Sequence, residues 1–155
     1  MTRLSFLFVA STGLLAAVGA SAADPRGHYL TASGNLEVEV APCGSAWCGT
    51  VTQVIANHSM SRPGETMQAA DTRPALGMTL LSGFVPDGDD AAKAWRGQIY
   101  NRENGKTYDC LMSIDDAGNL QLHAYVLFPL FGKTQVWPRQ PDAAVQRQAV
   151  TGAVQ

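Results

Sequence analysis

Three cysteines, three histidines and two Gly-Lys-Thr tripeptides carry the clearest chemical options in this chain. Cys43 and Cys48 are separated by Gly-Ser-Ala-Trp, a spacing open to a disulfide or to half of a metal site. In Leu36-Glu37-Val38-Glu39-Val40 the apolar side chains alternate with acids, and continuing that parity puts Cys43 on the Glu face. Cys48 shares the Thr50/Thr52 face, so both thiols lie on the polar side of one hairpin. A bridge is expected there, with two free thiols as the alternative. Closing so short a loop contributes only about 2 kcal/mol, enough to pin a hairpin end. Cys110 shares an apolar face with Tyr108, Met112 and Ile114, which predicts a buried, inert thiol. His28, His58 and His123 have no i,i+2 or i,i+4 pairing, and no metal site is expected. His28 and His123 fall opposite their strands' apolar sets and should face outward.

A phosphate-binding loop needs a further glycine five residues before the one in Gly-Lys-Thr, so that backbone amides can wrap the phosphates. Those positions hold Tyr100 and Leu127, and neither stretch leads into a helix. No Gly-x-Ser-x-Gly elbow is present. Ser59 and Ser61 lie close to His58 in a polar segment read as a flexible loop, which is poor support for a nucleophile. Asp87, Asp89 and Asp90 lack the twelfth-position glutamate of a calcium loop and read as a solvated turn. The residues therefore predict neither an enzyme nor a cofactor.

The elements that must position these residues are strands. Arg3 opens a stretch that is apolar or small from Leu4 to Gly19 and ends in Ala20-Ser21-Ala22, the pattern of a cleavable signal peptide over residues 1–22. That core is too short and too rich in Ala and Gly for a stable membrane anchor, so a periplasmic or secreted product is expected. The 155 residues, 15% charged with a formal net charge of −2, make one domain and no basic surface for nucleic acid. After the leader, period-two alternation and turn residues dominate. They predict strands at 26–32, 36–42, 47–55, 76–85, 93–101, 106–114, 120–127 and 133–139, with a long loop at 57–74 and an apolar connector at 128–132. Eight short antiparallel strands predict an all-β barrel over residues 23–140, closed so that no edge is exposed, with a short C-terminal tail at 141–155.

Four strings add a resemblance: Pro42-Cys43-Gly44 with Cys48-Gly49; Trp95-Arg96-Gly97-Gln98-Ile99-Tyr100; Glu103-Asn104-Gly105-Lys106-Thr107-Tyr108; and Leu130-Phe131-Gly132-Lys133-Thr134-Gln135-Val136-Trp137-Pro138-Arg139. Together they resemble the DUF2147 family of exported bacterial proteins of unknown function. The resemblance implies a lipocalin-like, calycin-type barrel. The family usually opens with Gly-x-Trp, where this chain has Gly27-His28-Tyr29, and often carries Asn/Asp-Pro-Glu, where this chain has Asn101-Arg102-Glu103. Such barrels pack an arginine of the last strand over the aromatic residue of the opening motif. The resemblance thus implies barrel closure by Arg139 on Tyr29, worth roughly 0.5–2 kcal/mol.

Eight strands enclose a space just large enough for side chains or one small ligand. Parity points Val38, Val40, Trp95, Ile99, Tyr108, Met112, Leu120, Leu122 and Ala124 inward, with Trp137 ending the last strand. A filled core is the simpler expectation. The functional alternative is a pocket for a small hydrophobic or amphipathic molecule, formed by Trp95, Ile99, Tyr108, Met112, Leu122, Phe128, Phe131 and Trp137 and gated by the 57–74 loop. Two functions follow: a lipocalin-like carrier in the cell envelope, or a filled-barrel interaction module working through Phe128 and Phe131.

Overall fold

A computed structural model describes residues 24–70, 72–88 and 94–141. The expected signal peptide, most of the C-terminal tail and part of the Asp87–Asp90 turn lie outside the described residues. The elements among the described residues are β1 (Gly27–Leu30), β2 (Leu36–Cys43), β3 (Ala46–Val54), β4 (Thr79–Pro86), β5 (Ala94–Asn101), β6 (Lys106–Ile114), β7 (Leu120–Tyr125), β8 (Gly132–Trp137) and β9 (Arg139–Gln140), with a 3-10 turn at Pro129–Phe131. All pairings are antiparallel, in the spatial order β8-β7-β6-β5-β4-β3-β2-β1-β9.

The ninth strand arises from the eighth. Pro138 has no amide hydrogen to give to a ladder, so the last strand is interrupted there. Before it, β8 pairs with β7; after it, β9 pairs with β1 through His28↔Gln140 and Tyr29↔Arg139. The Pro138 carbonyl accepts from the Leu30 amide at 2.9 Å, bridging the two halves. One bent segment thus joins the first and last strands of the meander and closes the all-β barrel.

Alternation places the core as the sequence suggested on β2, β5, β6 and β7. Val38, Val40, Trp95, Ile99, Met112, Leu120 and Leu122 are buried, while Tyr108 and Ala124 are half-buried against them. β4 departs from it. Gly83 takes φ 67° and the pairing with β5 slips between Ser82 and Val85. This bulge lets Leu81 and Phe84, three residues apart, both point inward and reach zero exposure. β4 also begins later than expected, at Thr79, because 75–78 turn against β3: Met78 donates to the Ala75 carbonyl and Gly77 to the Val51 carbonyl. β7 ends earlier than expected, at Tyr125, and Leu127 follows with a positive φ of 67°.

The two barrel ends differ. At one end lie the β2–β3 hairpin, the β6–β7 turn and the β1/β9 closure. The disulfide Cys43–Cys48 pins that hairpin, with 5.8 Å between the Cα atoms. The Arg26 guanidinium lies 5.7 Å from the Trp47 ring centroid nearby. At the opposite end meet the β1–β2 turn, the long β3–β4 loop, the β5–β6 turn and the β7–β8 connector. Cys110 is fully buried and free, and desolvation pushes its thiol up to about 12, so it is neutral and unreactive at ordinary pH.

Candidate ligand-binding site

The closed end is held by Arg139. Its guanidinium sits 5.6 Å from the Tyr29 ring centroid, with Nη1 donating to the Tyr29 hydroxyl at 3.1 Å and Nη2 to the Arg26 carbonyl at 2.7 Å. The hydroxyl passes its own hydrogen to the Pro25 carbonyl at 3.0 Å. A tryptophan can stack but cannot accept and donate in this way, so tyrosine adds a relay that the stacked pair alone lacks. Burial raises the Tyr29 pKa, opposed by the Arg139 cation. Gly27 leaves the room: a Cβ there would stand 2.8 Å from Arg139 Nη2.

The other end opens into a cavity of about 380 Å³. Its apolar wall includes Leu36 at the start of β2, Leu80 on β4, Ile99 on β5, Ala124 on β7 and Trp137 on β8. Of the residues expected to form a pocket, Ile99, Tyr108, Phe131 and Trp137 line this space. Trp95, Met112 and Leu122 are packed in the core and do not line it, and Phe128 is 64% exposed outside it. The interior is therefore divided, with a packed half toward the disulfide and an open half toward the long loop.

That loop is stapled down rather than free. Asn35, 5% exposed, donates to the His58 carbonyl at 2.7 Å and accepts from the His58 amide at 2.8 Å. Asn57 and Met67 bond to each other across the loop, His58 pairs with Thr66, and Met67 is buried beneath. From the β5–β6 turn, Glu103 accepts the hydroxyls of Ser59 and Ser61 and the amides of Met60 and Ser61. These bonds hold its carboxyl down at about 2. The serines that follow His58 thus serve as anchors for a carboxylate, and among the described residues neither is hydrogen-bonded to the imidazole ring. Glu103 was hidden in the sequence inside a hairpin turn, 44 residues from the serine it holds.

The rim opposite is the 126–131 connector. Leu127, Phe128, Leu130 and Phe131 are between 64% and 87% exposed. The connector is held from the outer face of β7 by His123, whose Nε2 donates to the Pro129 carbonyl while Nδ1 accepts from Thr134 Oγ1 at 2.8 Å. Gly132 makes this possible, since a Cβ there would fall 2.4 Å from His123 Nε2. Polar groups complete the mouth: Arg102 and Lys133 bring positive charge, and Thr31, Asn35 and Gln135 bring hydrogen-bonding groups. The described residues contain no cluster of three His, Cys, Asp or Glu able to hold a metal.

A closed antiparallel barrel, packed at one end and hollow at the other, is the architecture of a lipocalin-like protein. The chain matches, over residues 27–139, the family described as an uncharacterized protein conserved in bacteria (DUF2147), and it belongs to that family. Among solved structures it is similar to protein HP1028 from the human pathogen Helicobacter pylori, described as belonging to the lipocalin family. The two share 18% identity with a TM-score of 0.57, over 80% of this chain and 88% of that one. At that identity the likeness establishes the fold alone. No curated protein sequence matches.

Proposed function

We propose that this protein is an exported, non-enzymatic carrier of one small amphipathic molecule in the bacterial cell envelope. The observation that carries the reading is the cavity of about 380 Å³ at the open barrel end, walled by Leu36, Leu80, Ile99 and Trp137. Small-molecule sites typically fall between about 300 and 1,000 Å³, so this one suits a single chain or ring system. Each methylene buried contributes about 0.8 kcal/mol, and eight of them provide a gross gain of about 6 kcal/mol before the cost of association. The disulfide and the leader-like segment support an oxidising, exported location.

Filling the cavity tests this. Ala124→Phe adds a ring from the β7 wall without removing any packed group. Wild-type protein is expected to bind a fluorescent fatty acid at one displaceable site per chain, and the variant is expected to fold but not bind. Equal binding by both would show that the probe sits elsewhere. A second reading, an interaction module of the envelope, is favoured by the exposure of Leu127, Phe128, Leu130 and Phe131. Crosslinking in cells separates the two: Phe128→Ser with Leu130→Ser should abolish a partner adduct if that reading holds.

A further inference from the structure

Charge at the cavity mouth is unevenly matched. Two neighbours in the β5–β6 turn, Arg102 and Glu103, both border the cavity. Glu103 is saturated: two hydroxyls and two amides of the long loop already donate to its carboxylate. Arg102 is the opposite case. The side chain is half-buried and forms no ion pair among the described residues, and its Nε is buried with none of the described residues accepting from it. Its backbone is fixed by the Ala70 amide, which donates to the Arg102 carbonyl at 2.9 Å. A buried guanidinium N–H normally has an acceptor, because the group carries five donors and cannot lose its charge. The second cation at this mouth, Lys133, is exposed at the rim.

Resting on the carrier reading above, we propose that Arg102 is the headgroup site of the cavity and that the ligand is a single-chain amphiphile with an anionic head, carboxylate or phosphate. The head accepts from the Arg102 guanidinium at the mouth, and the tail runs down the wall of Leu80, Ile99 and Trp137. A planar guanidinium matches either oxyanion in bidentate geometry, and such charge-assisted bonds are about twice as strong as neutral ones. The apolar floor supplies affinity with little selectivity, whereas the cation selects against alcohols and amines of the same length.

The test is calorimetric titration of the full folded protein with decanoate, decyl phosphate, decanol and decylamine. Wild type is expected to bind one or both anions at least about tenfold more tightly than decanol, and whichever anion is tighter identifies the head. Arg102→Leu should erase that preference while leaving decanol binding intact, which also reports that the variant is folded. Lys133→Gln should change the preference by less than about threefold. Equal binding of anion and alcohol by wild type overturns the proposal while the carrier reading stands. So does an anion preference that survives Arg102→Leu or disappears in Lys133→Gln. Failure of all four probes to bind would instead remove the carrier reading itself.

Discussion

Arg139→Ala is the perturbation whose cost the structure defines most fully. It removes two charge-assisted hydrogen bonds, to the Tyr29 hydroxyl and the Arg26 carbonyl, and a cation lying 5.6 Å from the Tyr29 ring centroid. Bonds to charged groups contribute about 1.5–3 kcal/mol each when buried, and less here because Arg139 is exposed along part of its length. Adding about 0.5–1 kcal/mol for the aromatic contact gives a total near 2–3 kcal/mol. For a domain of this size that corresponds to a fall in melting temperature of roughly 6–15 °C. The ladder bonds of β9 are backbone bonds and survive, so the fold should remain. Tyr29→Phe removes only the hydroxyl relay and leaves the Pro25 carbonyl without its donor, a loss of about 1–2 kcal/mol. Because the two residues share one bond, the double variant should lose less than the sum of the singles, by about 1 kcal/mol. Thermal melts of the four proteins, with hydrogen exchange at the Leu30 amide that bonds to Pro138, measure this directly. A melting temperature unchanged in Arg139→Ala, or strict additivity, would refute the closure argument.

Other outcomes follow from the same geometry. Glu103 has its carboxyl lowered from 4.5 to about 2, so its hold on the loop is complete above the unfolded value and is lost as pH falls through the folded one. Protection of the Met60 and Ser61 amides, taken relative to their intrinsic exchange rates, should therefore fall between about pH 4.5 and 2, and in Glu103→Gln it should already be reduced at neutral pH. Cys43→Ser with Cys48→Ser should cost only about 2 kcal/mol, read as a small shift in the denaturant midpoint with the barrel retained. Gly132→Ala forces His123 off the Pro129 carbonyl, so the ring resonances of Phe128 and Phe131 should broaden while the melting temperature moves little.

The strands were legible because an antiparallel strand packed on one face writes its burial into alternate residues, as Val38, Val40, Leu120 and Leu122 do. β4 was less so, since a bulge at Gly83 breaks the count and puts Leu81 and Phe84 on the same side. Pro138 likewise turned one expected strand into two. The Cys43–Cys48 bridge followed from parity, because both partners lie on one hairpin. The mouth did not. Its walls come from β2, β4, β5, β6, β7 and β8 and from the turn after β1, and whether side chains meet or leave space there depends on barrel curvature. Trp95, Met112 and Leu122 share inward parity with Ile99, yet they lie at the packed level. Parity fixes the side on which a residue lies and carries no information about depth along the barrel. The staple between Glu103 and Ser59 is a long-range contact with no local pattern to announce it.

The central claim is that the open half of the barrel receives one ligand. A crystal structure of the protein purified from its own cells, or soaked with decanoate, tests it most directly. The account predicts continuous density for a single chain between Arg102 and Trp137, walled by Leu80 and Ile99. Side chains collapsed across that space, with no density and no displaceable probe in solution, would contradict it.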